Sequence, residues 1–324
     1  VTGPSAGHAP AQPPAQPPTR AGSQPEATAR DRRLGLIYGV VMALGAALSF
    51  AIARRGILMG FGPEDLTLLR FAGAGLAFLP MVLKAGIGNL AGIGWRRGLI
   101  LTLLAGPAFS MLQNGGYVFA PLAHGAVLVP MSVTVFSGLM AVVILRERLG
   151  RAHVIGTAIV LAGITLLAAE GLQVVHGSDR VWIGDLLFIS AGAMWAVYTI
   201  LLRHWRVDAV AAAAVVAILS LVATVPLYVL LFPVHKLWHL PIGEVAIQAL
   251  SQGLLSGVIA LVCYSRTVNL LGAGRAVLFP AMVPGLAIVF GIPLLGEWPT
   301  WIQLAGLAVA SAGFAVALGL LKRR

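Results

Sequence analysis

The 324-residue chain is poor in charge and nearly free of cysteine: only 10% of its residues are Asp, Glu, Lys or Arg, and Cys263 is its one cysteine. A soluble domain carries about a quarter charged residues. A chain that is 59% hydrophobic therefore has too little polar surface to coat a water-soluble globule. One thiol excludes an intramolecular disulfide and any cysteine-cluster metal site. The chain also lacks a phosphate-cradling Gly-rich loop with its lysine, an HExxH pair and an Asp-rich substrate motif. That removes support for an ATP-driven motor or a polytopic lipid-modifying enzyme. The histidines add no metal site. His124, His153, His176, His204, His235 and His239 are spread over loops and helix ends, His8 lies in the N-terminal tail, and the His235 and His239 pair has no third ligand nearby. No cofactor is expected.

What charge there is has one dominant sign. The 22 Lys and Arg against 11 Asp and Glu leave a formal net charge of +11, with arginine far more abundant than lysine. Such a balance fits either nucleic-acid binding or cations sorted to one face of a membrane. Residues 1–33 hold seven of the nineteen prolines and a Gln-Pro-Pro repeat, and end in Arg30, Asp31, Arg32 and Arg33. With almost nothing apolar to bury, they read as a disordered cytoplasmic tail. A cleavable signal peptide is not expected, because the first apolar segment lies far from the N-terminus and is long enough to span a bilayer.

From residue 34 onward, apolar stretches near the roughly 20 residues of a membrane span recur with short interruptions. They fall at 34–53, 66–83, 98–118, 126–145, 153–170, 182–202, 209–232, 245–265, 276–295 and 301–320. Each is rich in Ala, Gly, Leu and Val without strict alternation, which favours helices over a transmembrane barrel. Ten spans put both termini on one side, and cytoplasmic termini place 17 cations in inside segments against 4 outside. That asymmetry satisfies the positive-inside rule, with Arg54 and Arg55 as a local exception. The excess charge becomes +13 inside and −2 outside, with Arg70 and Asp185 cancelling within the spans. The cations therefore report topology, and no nucleic-acid partner is expected.

Shifting the sequence by 150 residues lays 126–163 on 276–313 without a gap, with eleven identities in 38 positions. Pro130 meets Pro280, Glu147 meets Glu297, Gly156 meets Gly306, and Gly163 meets Gly313. Five spans per half is an odd number, so equivalent motifs face opposite sides, as in the inverted repeats of secondary transporters.

The segment from Ala126 through LRERLGRAHVIG to Gly163, with its counterpart from Ala276 through LGEWPTWIQLAG to Gly313, resembles the drug/metabolite transporter superfamily in its ten-helix form of two EamA-type repeats. Arg70 in LTLLRFAGAG matches an arginine often seen in the second helix of such repeats. The resemblance covers nearly all of 34–320. It implies an all-α integral membrane protein with repeats at 34–170 and 182–320 and a basic cytoplasmic end at 321–324. It also implies an inner-membrane transporter, commonly an exporter, of amino acids, related metabolites or other small amphipathic solutes. Its expected partners are a solute and membrane lipid, and it is expected to work as a monomer. A lipid-linked sugar or phospholipid flippase on the same fold is the first alternative. A membrane-embedded enzyme is the second, and it would need a cluster of catalytic acids or histidines.

Several residues are candidates for contact with a solute. Arg70 lies about five residues into its span, roughly 7 Å by the helical rise, where it could meet a carboxylate or snorkel to the interface. Ser110, Gln113, Asn114 and Tyr117 fall at helical spacings and, with Ser49 and Arg70, could form a polar wall. Trp195 and Tyr198, one turn apart, and Tyr264 offer an amphipathic lining. The competing reading of these residues is interhelical hydrogen bonding and an interfacial aromatic belt. Asp185, the one acid within a span, reads either as a proton-coupling carboxylate or as an acid stabilised by a helix N-terminus. The first span carries no mid-membrane acid, unlike that of the small multidrug-resistance relatives. Pro130 and Pro280 could shape a cavity or a hinge, or be tolerated kinks. Glu147 and Glu297 are expected to accept hydrogen bonds from the amides that begin the following helix. Gly156, Gly163, Gly306 and Gly313 are expected to let the fifth and tenth spans pack closely.

Overall fold

A computed structural model describes residues 29–86, 88–146, 150–172, 180–232, 235–276 and 278–317. Among them every regular element is helical. The first half holds α1 (Ala29–Leu58), α2 (Pro63–Ala85), α3 (Trp95–Ala105), α4 (Pro107–Phe119), α5 (Leu122–Leu145) and α6 (Arg151–Leu172). The second holds α7 (Val181–Trp205), α8 (Ala209–Leu231), the short α9 (His235–His239), α10 (Ile242–Gln248), a π-helical segment (Ala249–Ile259), α11 (Ala260–Leu271), the short α12 (Ala273–Ala276), α13 (Leu278–Leu295) and α14 (Trp301–Ala317). From α10 through α11 the chain is one rod, Ile242–Leu271. Seven helices, this rod included, are long and apolar enough to cross a membrane, and shorter apolar helices accompany them.

The surface shows what solvent these helices meet. Leu103, Val222, Leu230 and Leu231 are each at least two-thirds exposed. The interior seams are instead built from alanine, glycine and buried polar groups such as Ser49, Asp65, Asn114 and Gln248. Large apolar side chains outside and small ones at the seams are the pattern of packing in lipid, where close backbone approach replaces the hydrophobic drive.

Two boundaries depart from the sequence expectation. Helix α1 begins at Ala29, so Arg30 to Arg33 are helical rather than part of a disordered tail. Asp31 in the first turn meets the positive end of the helix dipole, and arginine is a good helix former. The third span breaks between α3 and α4, at Gly106 followed by Pro107. Proline lacks the amide that would bond back into α3, and a Cβ on Gly106 would lie 2.6 Å from the Ser220 hydroxyl of α8. Pro130 lies inside the continuous α5, with the Thr134 hydroxyl donating to its carbonyl at 3.0 Å. Its counterpart Pro280 lies in α13.

The packing pairs are exchanged when the halves are swapped. Helix α1 lies on α13 and α11 as α7 lies on α5 and α4, while α2 meets α8, and α6 meets α14. At the α6–α14 seam a Cβ on Gly163 would sit 2.7 Å from the Ala310 backbone nitrogen, and one on Gly313 would sit 2.5 Å from that of Val160. Gly306 is buried in the same helix. Gly156 abuts Ala317.

Because backbone, not a flexible side chain, blocks the added methyl, Gly163→Val should destabilise the bundle by about 1–3 kcal/mol. Thermal unfolding of detergent-solubilised protein should show a lowered midpoint. Gly285→Ala, whose Cβ meets nothing within 4 Å, should leave it unchanged.

Candidate functional site

Two helices of the first half meet through hydroxyls. Thr67 of α2 donates to the Ser110 hydroxyl of α4 at 3.0 Å, and the Asn114 amide donates to the same oxygen at 3.2 Å. Gln113, in the same turn of α4, is buried. Arg70 follows Thr67 by three residues, about 4.5 Å further along α2. It is surrounded by protein, makes no ion pair or hydrogen bond with the described residues, and still keeps accessible surface. An unpaired charge in an apolar bundle is costly, so a guanidinium in that state calls for water or an anionic partner.

Aromatic rings adjoin this polar strip. Phe109 of α4 lies 5.1 Å from Trp195 of α7, and Trp195 lies 5.1 Å from Tyr198, as ring centroids. Phe109, Ser110 and Gln113 belong to one stretch of α4, so apolar and hydrogen-bonding surfaces are contiguous there. Other sequence candidates lie elsewhere. Ser49 donates to its own helix at Gly45 O (2.8 Å) and approaches Ser251 O (3.3 Å), which ties α1 to the π-helical segment. Tyr264 packs into the α1–α11–α13 cluster with Cys263 and Phe279. Tyr117 is fully buried with its ring edge on Phe188, 4.9 Å between centroids.

One end of the bundle gathers acids and their partners. Arg54, near the end of α1, binds Glu297 at 2.8 Å and also donates to the Tyr117 carbonyl that ends α4. The second oxygen of Glu297 accepts the Leu122 amide at 2.9 Å. Glu297 therefore caps α5, not α14 as its sequence position implies, because α5 brings its free first-turn amide to the same place. Arg55 pairs with Glu244 of α10 at 2.5 Å. The Tyr228 hydroxyl of α8 donates to Asp65 of α2 at 2.5 Å, and the other Asp65 oxygen accepts Gly62 N at 2.7 Å. Gln248 and Gln252 donate to the Ile52 and Ser49 carbonyls of α1 at 2.7 and 3.0 Å. Arg54 and Arg55, exceptions to the charge rule in the sequence, are thus interhelical ties. Trp182, Trp238, Trp298 and Trp301 stand exposed around this acid end.

Sequence reasoning missed Phe109, Asp65, Tyr228 and the Asp185 partner His124, which approaches it to 2.7 Å. Only the Glu64–Asp65 acids beside an arginine pair gave a signal, since partners from distant helices leave no local pattern. Glu147 lies outside the described residues.

Apolar helices with lipid-facing leucines, a polar and aromatic internal strip, and an end sealed by ion pairs make a multi-pass membrane transporter, not an enzyme. The chain belongs to the EamA-like transporter family, which matches residues 33–169 and 182–319, and so to the drug/metabolite transporter superfamily. It is 26% identical over 286 residues to a protein of Streptantibioticus cattleyicolor named "Probable terminal-alkyne amino-acid exporter", covering 86% of this chain and 91% of the relative. It is 21% identical over 227 residues to the "Uncharacterized transporter YyaM" of Bacillus subtilis, covering 69% and 73%. A solved crystal structure shares the fold with a TM-score of 0.60 at 20% identity, over 90% of this chain and 99% of that one.

The Arg54 and Glu297 side chains are 15% and 24% exposed, so their attraction is only partly screened. A double-mutant cycle on Arg54→Ala and Glu297→Ala should return a coupling of about 1–3 kcal/mol in thermal or denaturant unfolding.

Proposed function

We propose that the chain is a ten-helix exporter of small amphipathic solutes, amino acids foremost, working by alternating access of two inverted five-helix repeats. The exchange of packing pairs between halves supports the repeats, with α3 and α4 forming one span and α10 to α11 its counterpart. The sorting of cations supports cytoplasmic termini in a bacterial inner membrane, with the acid end outside. The chain carries the parts of one transport path and is read as a functional monomer.

Arg70 is the observation that carries the solute class. An unpaired, accessible guanidinium inside an apolar bundle needs an anion, and an amino acid brings a carboxylate to it. Gln113 and Asn114 offer carbonyl acceptors to the ammonium, and Phe109 and Trp195 offer a surface to an apolar side chain. The exporter name of the Streptantibioticus cattleyicolor relative points to the same class. In this reading Pro130 and Pro280 serve to shape the helices around the solute path.

A flippase is the second reading, favoured by one feature. At the opposite end Arg32 and Arg275 flank a cleft of about 310 Å³ lined by Leu36, Leu271, Leu278 and Phe279. That combination suits a phosphate head and an acyl chain.

Radiolabelled counterflow in proteoliposomes separates the readings. L-leucine and L-phenylalanine should exchange, and a fluorescent phospholipid should not scramble. Arg70→Ala should cut amino-acid exchange roughly 10-fold or more, as expected for losing a charged hydrogen bond, while Arg70→Lys retains part of it. Exchange unaffected by Arg70→Ala at normal protein levels would remove the arginine from the site.

A further inference from the structure

The first turns of α5 and α7 carry a polar contact that the solute site does not use. His124, third in α5 and 1% exposed, places its Nδ1 2.7 Å from Oδ1 of Asp185, fifth in α7 and 4% exposed. The other carboxylate oxygen, Oδ2, is buried without a hydrogen-bond partner, as is the Tyr117 hydroxyl of neighbouring α4. A carboxylate shut away with one oxygen unsatisfied is costly. Ionisable groups at membrane depth mark ion and proton paths, and histidine is the side chain that changes charge in the neutral range.

We propose that His124 and Asp185 form a proton-binding site whose occupancy holds the acid end closed. The inference rests on the transporter reading, in which closure of one end is a step of the cycle. With neutral histidine and ionised aspartate the buried pair carries one net negative charge. A proton from water at the acid end adds to the second imidazole nitrogen or to Oδ2, and either location brings the pair to neutrality. No electron moves and no other group leaves. The neutral pair is at ease in the closed, dry seam. Losing the proton leaves a bare carboxylate, which is relieved when α7 parts from α5 and water enters.

The pair is placed to govern the seal. Leu122, two residues before His124 in the same turn, gives its amide to Glu297, which also holds Arg54. The next residue, Gly125, is so close to the Tyr117 and Phe188 rings that a Cβ there would lie 2.5 and 2.7 Å from them. Movement of this turn therefore disturbs both the proton pair and the Arg54 clamp. The other titratable groups facing it are Tyr117 from α4, Arg54 from α1 and Glu297 from the α13–α14 link, the last two occupied with each other. Among the described side chains, α6, α13 and α14 bring no titratable group to this end. The sign follows: the pair contributes fully to closure at low pH, and its contribution fades as pH rises. A lower pH at the acid end thus favours closure of that end, and the proton returns to the same water when the seam reopens.

The test reads the seal without any solute. In full-length protein carrying Cys263→Ala, spin labels are placed at Trp182→Cys on α7 and Trp298→Cys beside Glu297, both exposed positions. Pulsed electron–electron distances are then recorded in phosphatidylethanolamine/phosphatidylglycerol nanodiscs from about pH 5 to about pH 9, the range over which histidine changes charge. A short-distance population should give way to a longer one as pH rises. Asp185→Asn, which removes the bare charge, should hold the short distance throughout. His124→Gln should abolish the transition or move it by about one pH unit or more. Distances indifferent to pH in the unsubstituted pair, or a transition that both variants leave in place, would overturn the proposal. If Asp185→Asn does not fold, His124→Gln decides by the same criterion. Because no solute is present, failure here leaves the counterflow result standing, and failure there leaves this one standing.

Discussion

A charge inside an apolar bundle cannot turn to water, so it must be met by a group on another helix. The acid end follows from that constraint. Arg54 holds α1 against the end of α4 and, through Glu297, against the start of α5. Arg55 reaches α10, and Asp65 joins α2 to α8. Each tie links segments far apart in sequence, so the end closes as a unit. In a low-dielectric setting such pairs contribute little net stability against apolar packing, yet breaking one partner is expensive. They specify which helices meet rather than how firmly the bundle coheres.

Arg70 stands apart by the same logic. Among the described residues it has no hydrogen-bond or ion-pair partner, and it stays partly exposed. In the polar strip beside it, Ser110 accepts from Thr67 and Asn114. Cohesion comes from elsewhere, from seams such as α6–α14, where glycine lets backbones touch. The bundle therefore separates its tasks. Small residues hold helices together, ion pairs choose neighbours at one end, and an arginine is left with its charge unmet.

Much of this was legible in the sequence. Long apolar stretches and repeat-related glycines leave local or periodic signals, and each has a counterpart in the helices described. The break at Gly106 was hidden because glycine and alanine are as common in lipid-spanning helices as at helix ends. The π-helical segment was hidden too, since it arises where Gln248, Ser251 and Gln252 meet α1. The roles of Arg54 and Arg55 were misleading on charge alone, because the acids that answer them lie 243 and 189 residues away in the chain. Asp185 drew attention as a lone acid, but no spacing pointed to His124. Periodicity reveals which face a residue takes, and it is silent on what the facing helix contributes.

The tryptophans around the acid end have a mechanical meaning. Trp182, Trp238, Trp298 and Trp301 project outward where that end closes, and indoles favour the headgroup layer. They form a collar seated in lipid. Any widening of that end must push the collar outward against the lateral pressure of the headgroups. In the proposed cycle the bilayer would be part of the spring that returns the protein to its closed form, and a membrane of different headgroup packing would change the stiffness of that spring without altering a single protein contact.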